Sequence, residues 1–333
     1  MIKNEFKDKK ILFFAPSFFN YEIEIKNKLI NLGAKVDFYD ERMEPTNLEK
    51  VIIRLKKDLL LKKIKNYYHK IIEENKNKKY DYILFLSPET ITRELVIELK
   101  KSQKQAKLIL YMQDSIKNKK NVSEILYEFD VCFTFDKEDS KKYPDFKFLS
   151  LFYLDEYKNF SQKNKEIKYD LSFIGTIHSD RYRIIKKIEQ LLAEKELVLK
   201  SYMYFPSKLM YLFMRIFNKN YRYSKIKEFS FSSISKEEIL DILLSSKVIL
   251  DIQHPNQSGL TMRTIEMIGL KKKIITTNAN IKEYDFYNPN NILIIDRKNI
   301  KIDYEFFQKE YIELDEKMYE KYSLENWLKV IFE

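Results

Sequence analysis

The N-terminal half of the chain alternates short apolar runs with longer segments whose apolar positions recur every three or four residues. The runs are typical of buried strands, and the longer segments predict helices that bury one face. The predicted strands occupy residues 10–15, 35–39, 81–86, 107–111, 130–135 and 146–152. The predicted helices occupy residues 22–32, 48–75 and 88–102.

The C-terminal half repeats this alternation after a polar segment, 155–168, that is interpreted as a linker. Strands are predicted at 171–174, 248–250, 273–278 and 291–296, and helices at 182–192, 261–268 and 323–332. Alternating strands and helices indicate parallel α/β sheets. Because ligands of such sheets bind beyond the C-terminal ends of the strands, the loops after the strands are the places to search for a site.

Composition limits the class of protein. A length of 333 residues suits two domains. No apolar run approaches the ~20 residues that span a bilayer, and no signal-peptide pattern is present. The single cysteine, Cys132, excludes an internal disulfide framework and a multi-cysteine zinc site. We therefore expect a reduced, cytoplasmic setting.

The formal net charge is +11. Such a balance fits a nucleic-acid partner, an anionic membrane, or a lysine-rich composition without a partner. The lysines are mixed with acidic residues and no nucleic-acid-binding motif is found, so no nucleic-acid partner is expected. Segment 202–227 is rich in aromatic, methionine and basic residues. It fits either a helix on a membrane surface or a helix packed on the C-terminal sheet or in a dimer contact.

The most informative motif lies between residues 251 and 269. Gly259 sits in a loop that leads from a strand into a helix, where backbone N–H groups and the helix dipole favour a diphosphate. Glu266 on the second turn can reach a ribose hydroxyl pair, and Arg263 shares its face of the helix. The alternative is an ordinary amphipathic helix with a surface salt bridge.

A second motif spans residues 169–181. Gly175-Thr176 turns a strand toward the predicted helix 182–192, with Arg181 directly before that helix and Arg183 in its first turn. The chain has only four glycines, so Gly175 and Gly259 indicate positions that need positive φ or close backbone approach. Solvated helix arginines are the alternative interpretation of Arg181 and Arg183.

These two blocks resemble the donor site of GT-B glycosyltransferases, in particular the CgeB-like and the capsule or lipopolysaccharide biosynthesis branch. The resemblance implies an α/β fold of two Rossmann-like domains whose parallel sheets face each other across a cleft. Residues 1–162, joined by the C-terminal helix 315–333, would form the acceptor domain, and residues 163–314 the domain that binds a nucleotide-sugar donor.

The resemblance also implies roles for individual residues. Glu266 matches the second of two spaced glutamates, and Ser258 occupies the position of the first, which leaves the donor sugar and the stereochemical course open. Arg181, Arg263 and backbone N–H groups would stabilise the leaving diphosphate without a metal or cofactor. The implied donor-binding residues are Gly175, Thr176, Arg181, Ser258, Gly259, Leu260, Thr261, Arg263 and Glu266.

Two loops of the N-terminal half are candidates for the acceptor side. Asp114 follows strand 107–111 and is the candidate general base of an inverting enzyme, with a helix N-cap as the alternative. The aromatic residues Phe18, Phe19 and Tyr21 either line an acceptor pocket or pack the loop.

The expected function is transfer of a sugar from a nucleotide-diphosphate sugar to a lipid-linked surface glycan, at the inner face of a membrane. A sugar-nucleotide epimerase of the same architecture and a non-catalytic nucleotide-binding or membrane-docking protein are the alternatives. His69, His178 and His254 do not have metal-ligand spacing, so no metal site is expected.

Overall fold

The computed structural model of the protein describes residues 6–17, 20–43, 57–119, 121–163 and 165–333. The chain folds into two compact units. The first contains Met1–Leu151 and Leu324–Glu333, and the second contains Phe152–Ser323.

The first unit is built on a six-stranded parallel sheet of order β2-β1-β3-β4-β5-β6. Its strands are β1 Lys10–Ala15, β2 Lys35–Asp40, β3 Tyr82–Leu86, β4 Lys107–Met112, β5 Val131–Thr134 and β6 Phe146–Phe148. Its helices are Tyr21–Asn31, Leu61–Asn75, Arg93–Ser102, Val122–Ile125, Lys137–Lys142 and the final helix Leu324–Phe332.

Strands and helices of the first unit share an apolar core because the central strands are apolar on both faces. Phe14 of β1 and Phe85 of β3 stack with ring centroids 4.5 Å apart. Helix Leu61–Asn75 adds Tyr68, which lies against Phe14. Trp327 of the final helix is buried and meets Tyr111 of β4 edge-on.

The second unit is built on a five-stranded parallel sheet of order β11-β10-β9-β7-β8. Its strands are β7 Tyr169–Thr176, β8 Leu199–Tyr204, β9 Ser246–Asp251, β10 Lys273–Thr276 and β11 Ile292–Ile294. Its helices are Asp155–Ser161, Arg181–Ala193, Lys208–Phe217, Lys236–Leu244, Met262–Gly269 and Glu316–Lys321. The order of both sheets reverses beside the first strand, as in doubly wound folds, so the α/β prediction is confirmed.

The reversal in the second sheet lies between β7 and β9, which are adjacent although β8 separates them in sequence. Their C-terminal ends diverge into loops on opposite sides of the reversal. A ligand crevice is therefore expected beyond Thr176 and Asp251.

Three sequence predictions differ from the structure. Residues 88–92 are not helical because Ser87 has a φ of 45° and Glu41 accepts hydrogen bonds from the Thr90 and Ile91 backbone N–H groups. Part of the predicted linker forms helix Asp155–Ser161. Strand β8 was not predicted because it lies at a sheet edge, where half-exposed positions leave no apolar run.

Other boundaries shift by smaller amounts. The predicted strand 146–152 ends at Phe148, and the predicted strand 273–278 ends at Thr276. Helix Leu61–Asn75 covers the second part of the predicted helical region, of which residues 48–56 lie outside the described residues.

Candidate functional site

Arg181 ties together the two loops that flank the reversal of the second sheet. Its Nε donates to the Ile252 carbonyl after β9 at 2.7 Å, and its Nη1 donates to the Thr176 carbonyl at the end of β7 at 2.7 Å. Burial lowers the pKa of Arg181, and nearby Asp251 opposes this shift. The guanidinium is thus a fixed, partly desolvated cation at the expected ligand crevice.

Gly175 packs closely against the Phe173 ring, over which this guanidinium lies. A Cβ at Gly175 would lie 3.5 Å from Arg181 Nη1 and 3.2 Å from the Phe173 ring, over which the guanidinium stacks at 5.8 Å. Its φ is not positive, and neither is that of Gly259, so the predicted conformational reason for these glycines is wrong. The left-handed residue of the first loop is Ser179, with a φ of 50°.

Asp251 joins the end of β9 to the N-terminus of helix Met262–Gly269. Its Oδ2 accepts hydrogen bonds from the Thr261 hydroxyl at 2.8 Å and the Thr264 hydroxyl at 2.6 Å. Thr261 is also the N-cap, because its Oγ1 accepts from the Thr264 N–H at 3.2 Å. The start of this helix is therefore held rigidly beside the crevice.

A second arginine, Arg297, lies close to Arg181 at the expected ligand crevice. Arg297, which follows β11, places Nη1 2.6 Å from Asp180 Oδ1, and its Nη2 donates to the Gln253 side-chain oxygen at 3.1 Å. The Arg297 backbone carbonyl accepts from Arg183 Nη2 at 2.9 Å. Arg183 itself is exposed and lies 3.6 Å from Asp180.

Two histidines from the two loops stand together at this point. The rings of His178 and His254 have centroids 5.3 Å apart. The pKa of His178 is lowered to about 4, first by burial and then by the positive charges of Arg181, His254 and Arg297. His178 is therefore a neutral imidazole at pH 7 that can donate or accept a hydrogen bond without adding charge.

The loop between β9 and its helix is fixed by amide side chains. Asn278 Nδ2 donates to the Ser258 and Gly259 carbonyls, both at 3.2 Å, and Asn280 Nδ2 also donates to Ser258 at 3.2 Å. Leu260 is buried, and its carbonyl accepts a hydrogen bond from Gln257 Nε2 at 3.4 Å. The loop after β9 is thus held by residues that directly follow the next strand of the chain, β10.

Glu266 is more enclosed than the sequence pattern indicates. It is 5% exposed. One carboxylate oxygen of Glu266 lies 2.8 Å from Arg263 Nη1. Tyr157 of helix Asp155–Ser161 donates a hydrogen bond to Glu266. The pKa of the Tyr157 hydroxyl is raised, first by burial and then by its interactions with Glu266. A ribose would share Glu266 with these two side chains. The pair Arg263–Glu266 is a buried ion pair rather than a solvated one.

Asp114 lies in the first unit, after β4. Its Oδ1 accepts from the Ser115 N–H at 2.9 Å and from Asn118 Nδ2 at 2.8 Å. It caps a turn that precedes the short helix Val122–Ile125, and Asn121 is the N-cap of that helix. In the aromatic loop of the first unit, Phe18 and Phe19 lie outside the described residues, and Tyr21 is buried in the helix that follows.

Glu41 is a further buried acid at the end of β2 that the sequence did not reveal. Burial raises its pKa to about 7, against hydrogen bonds from Thr90 and Ile91. Within the described part of the chain, no cluster of three or more metal-ligating side chains occurs, and no helix has the length and hydrophobicity to cross a membrane.

The structure brings Gly175, Thr176 and Arg181 together with the start of the loop after β9, at Ile252. Thr261 is tied to the end of β9 through Asp251, whereas Glu266 and Arg263 face helix Asp155–Ser161. Sequence reasoning missed Arg297, His178 and His254 as members of the crevice. The position of Arg297 directly after a predicted strand was the one available signal, because strand ends of a parallel sheet meet at one edge.

No family model matches the chain, and no curated protein matches its sequence. Solved structures do match its fold. An α-glucosyltransferase in complex with UDP and mismatched DNA superposes with a TM-score of 0.63 at 12% identity, covering 97% of this chain and 100% of that one. A glycosyltransferase from Rickettsia africae gives 0.62 at 13% identity, with 97% and 96% covered. HepE of Anabaena, in complex with UDP and glucose, gives 0.59 at 10% identity, with 97% and 98% covered.

At identities of 10–13%, these similarities show the fold alone. They extend over nearly the whole chain and over both units. Together with the two parallel sheets, they show that this chain has the GT-B fold, the fold of the glycosyltransferases it is similar to.

Proposed function

We propose that the protein is a glycosyltransferase that uses a nucleotide-diphosphate sugar as donor. The observation that carries the proposal is the pair of partly buried, hydrogen-bonded arginines, Arg181 and Arg297, at the strand reversal of the second sheet. A doubly wound sheet binds ligands at this place, and guanidinium groups suit phosphate oxygens. The UDP complexes among the similar structures make UDP the first nucleotide to test.

The electrostatics of this crevice favour a diphosphate leaving group. Arg181 and Arg297 are positioned by carbonyl and carboxylate partners, so little reorganisation is needed when negative charge develops. His178 contributes a neutral hydrogen-bonding group. Fixed cations and the N-terminus of helix Met262–Gly269 thus take the place of a divalent ion in this proposal.

The remaining donor contacts are assigned as the sequence predicts. The backbone of Ser258, Gly259 and Thr261 would approach the phosphates or the sugar, and Glu266 would hold the ribose. Glu266 has the negative charge and the fixed position that a ribose hydroxyl pair requires, although it shares that charge with Arg263.

The acceptor side is proposed from the resemblance. It implies a surface glycan carried on a lipid, as in capsule or lipopolysaccharide biosynthesis. If transfer proceeds with inversion, a carboxylate or an imidazole must accept the proton of the acceptor hydroxyl, and Asp114 is the proposed base.

Release of nucleoside diphosphate from a panel of nucleotide sugars, with mixed glycolipids from bacterial membranes as acceptors, tests this function. We expect acceptor-dependent release of one nucleoside diphosphate, and the same rate in EDTA. Formation of an epimerised nucleotide sugar without transfer would replace the proposal by the epimerase. Loss of activity in EDTA with rescue by Mg²⁺ or Mn²⁺ would contradict the metal-free leaving group.

A further inference from the structure

Helix Lys208–Phe217 presents an apolar face to solvent. Leu209 is 78% exposed, Ile216 73% and Phe217 71%. Other large apolar side chains on the helix are also exposed, namely Met210, Leu212 and Phe213. Phe213 and Phe217 contact each other, with ring centroids 4.6 Å apart. Because burial of large apolar side chains favours association, a contiguous exposed group of them indicates a surface that something covers.

The opposite face of this helix is already anchored in the second unit. Tyr211 is fully buried among Phe205 and Phe229, and its hydroxyl donates to the Ser224 carbonyl at 3.0 Å. Ser207 caps the helix by accepting from the Leu209 and Met210 N–H groups. The outward apolar side chains are therefore not needed to hold the helix in place.

The segment that carries the exposed face holds basic but no acidic residues. No acidic residue occurs between Glu196 and Glu228. The exposed basic side chains of this stretch are Lys208, Arg215, Lys219, Arg222, Lys225 and Lys227. None of them forms an ion pair within the part of the chain that the structure describes. An apolar stripe with a cationic border matches the depth profile of an anionic lipid surface.

We propose that helix Lys208–Phe217 docks the protein on the surface of an anionic membrane. Its apolar side chains would enter the boundary between headgroups and acyl chains, and the bordering cations would lie at the level of the lipid phosphates. A second copy of the chain is a poorer occupant because it would bring two cationic borders together, whereas a membrane supplies the opposite charge.

The residues that directly follow helix Lys208–Phe217 contact the loop after β7, which contains Ser179 and is the candidate donor loop. Asn220 Nδ2 donates to the Ser179 carbonyl at 3.0 Å, and the buried Tyr221 packs beside Tyr182 in the adjacent helix. Ser179 lies next to His178, so docking would hold the candidate donor loop close to the lipid surface. This consequence rests on the proposed function, but the docking itself does not.

Cosedimentation of the full chain with vesicles tests the docking. The vesicles are of phosphatidylcholine alone or of phosphatidylcholine mixed with phosphatidylglycerol. We expect binding to the anionic vesicles that weakens in high salt. The triple variant Phe213→Ser, Ile216→Ser, Phe217→Ser should lose at least tenfold in affinity, and the double variant Arg215→Glu, Arg222→Glu should lose roughly fivefold or more per charge.

Matched controls separate the surface from general effects of charge and hydrophobicity. Tyr127→Ser removes an exposed aromatic side chain elsewhere, and Lys101→Glu with Lys104→Glu changes the net charge by the same amount as the arginine variant. Both controls should bind like the unmodified protein.

Several outcomes overturn the docking proposal. They are absence of binding to anionic vesicles, full binding by the triple serine variant, or an equal loss in the controls. Sedimentation velocity provides the remaining arm. A dimer that the triple serine variant dissociates would assign the face to a second copy instead. None of these readouts requires transferase activity, so failure of docking and failure of the proposed function are distinguishable.

Discussion

Arg297 Nη1 lies 2.6 Å from Asp180 Oδ1. This ion pair links the loop that follows β11 to the loop that precedes helix Arg181–Ala193. Both side chains are largely buried. The pair fixes the Arg297 guanidinium beside His178 and Arg181, and thereby concentrates positive charge at one strand reversal.

Replacing Arg297 by alanine should selectively weaken the binding of phosphates. A charged hydrogen bond is worth ~1.5–3 kcal/mol, so calorimetry should show UDP affinity falling by roughly tenfold or more while uridine affinity stays the same. Lys187→Ala, which removes an exposed cation from the same helix as Arg181, is the control and should leave UDP affinity within about twofold. An equal loss for UDP and uridine would indicate a collapsed loop instead of a phosphate contact.

Glu266→Gln should weaken UDP by roughly tenfold or more if the carboxylate holds the ribose, and should affect 2′-deoxy-UDP less. Tyr157→Phe is the matched variant, since it removes the hydrogen bond to Glu266 but keeps the carboxylate and its Arg263 partner. Its UDP affinity should be preserved. If Glu266→Gln lowers the melting temperature but binds UDP normally, Glu266 serves the fold alone.

The pKa of His178 predicts a specific loss of stability in acid. The folded pKa of about 4 lies below the ordinary value of 6.5, so the unfolded chain takes up a proton first as the pH falls. Stability should therefore fall between pH 6.5 and pH 4 and level off below it. In His178→Gln, urea unfolding followed across this range should show a smaller pH dependence. An unchanged slope would mean that His178 is protonated in the folded protein.

The two sheets were largely predictable because most buried strands leave an apolar run and the longer helices leave a period of three to four residues. The alternation of strands and helices gave the parallel sheets. No prediction covered helices Val122–Ile125, Lys137–Lys142 and Lys236–Leu244. Strand β8 was missed because an edge position tolerates polar residues, and the linker prediction failed because helix Asp155–Ser161 is short and charged.

The candidate site was only partly predictable. Arg181 and the 258–261 loop follow strands with readable patterns. His178 and His254 meet only because the strand order places β7 beside β9. Asp180 and Arg297 meet although their strands, β7 and β11, are not adjacent in the sheet. The burial of Glu266 could not be read from its helix, because Tyr157 comes from a segment whose pattern is that of a linker.

Asp114→Asn tests the base. Asparagine keeps the size and the Oδ1 hydrogen bonds to Ser115 and Asn118 but cannot accept a proton. Turnover should fall by ~10²–10⁴-fold with UDP affinity unchanged. Near-normal turnover would leave Asp114 as a turn cap, and product NMR that shows retention of the anomeric configuration would remove the need for this base.

The central claim is that the strand reversal of the second sheet binds the diphosphate of a nucleotide sugar. Calorimetric titration of the unmodified protein with UDP, GDP, CDP, ADP and dTDP, each beside its parent nucleoside, tests it most directly. We expect one nucleoside diphosphate to bind at least tenfold more tightly than its nucleoside, and we expect Arg297→Ala to remove most of that difference. Absence of binding by every nucleoside diphosphate, or equal binding of diphosphate and nucleoside, would contradict it.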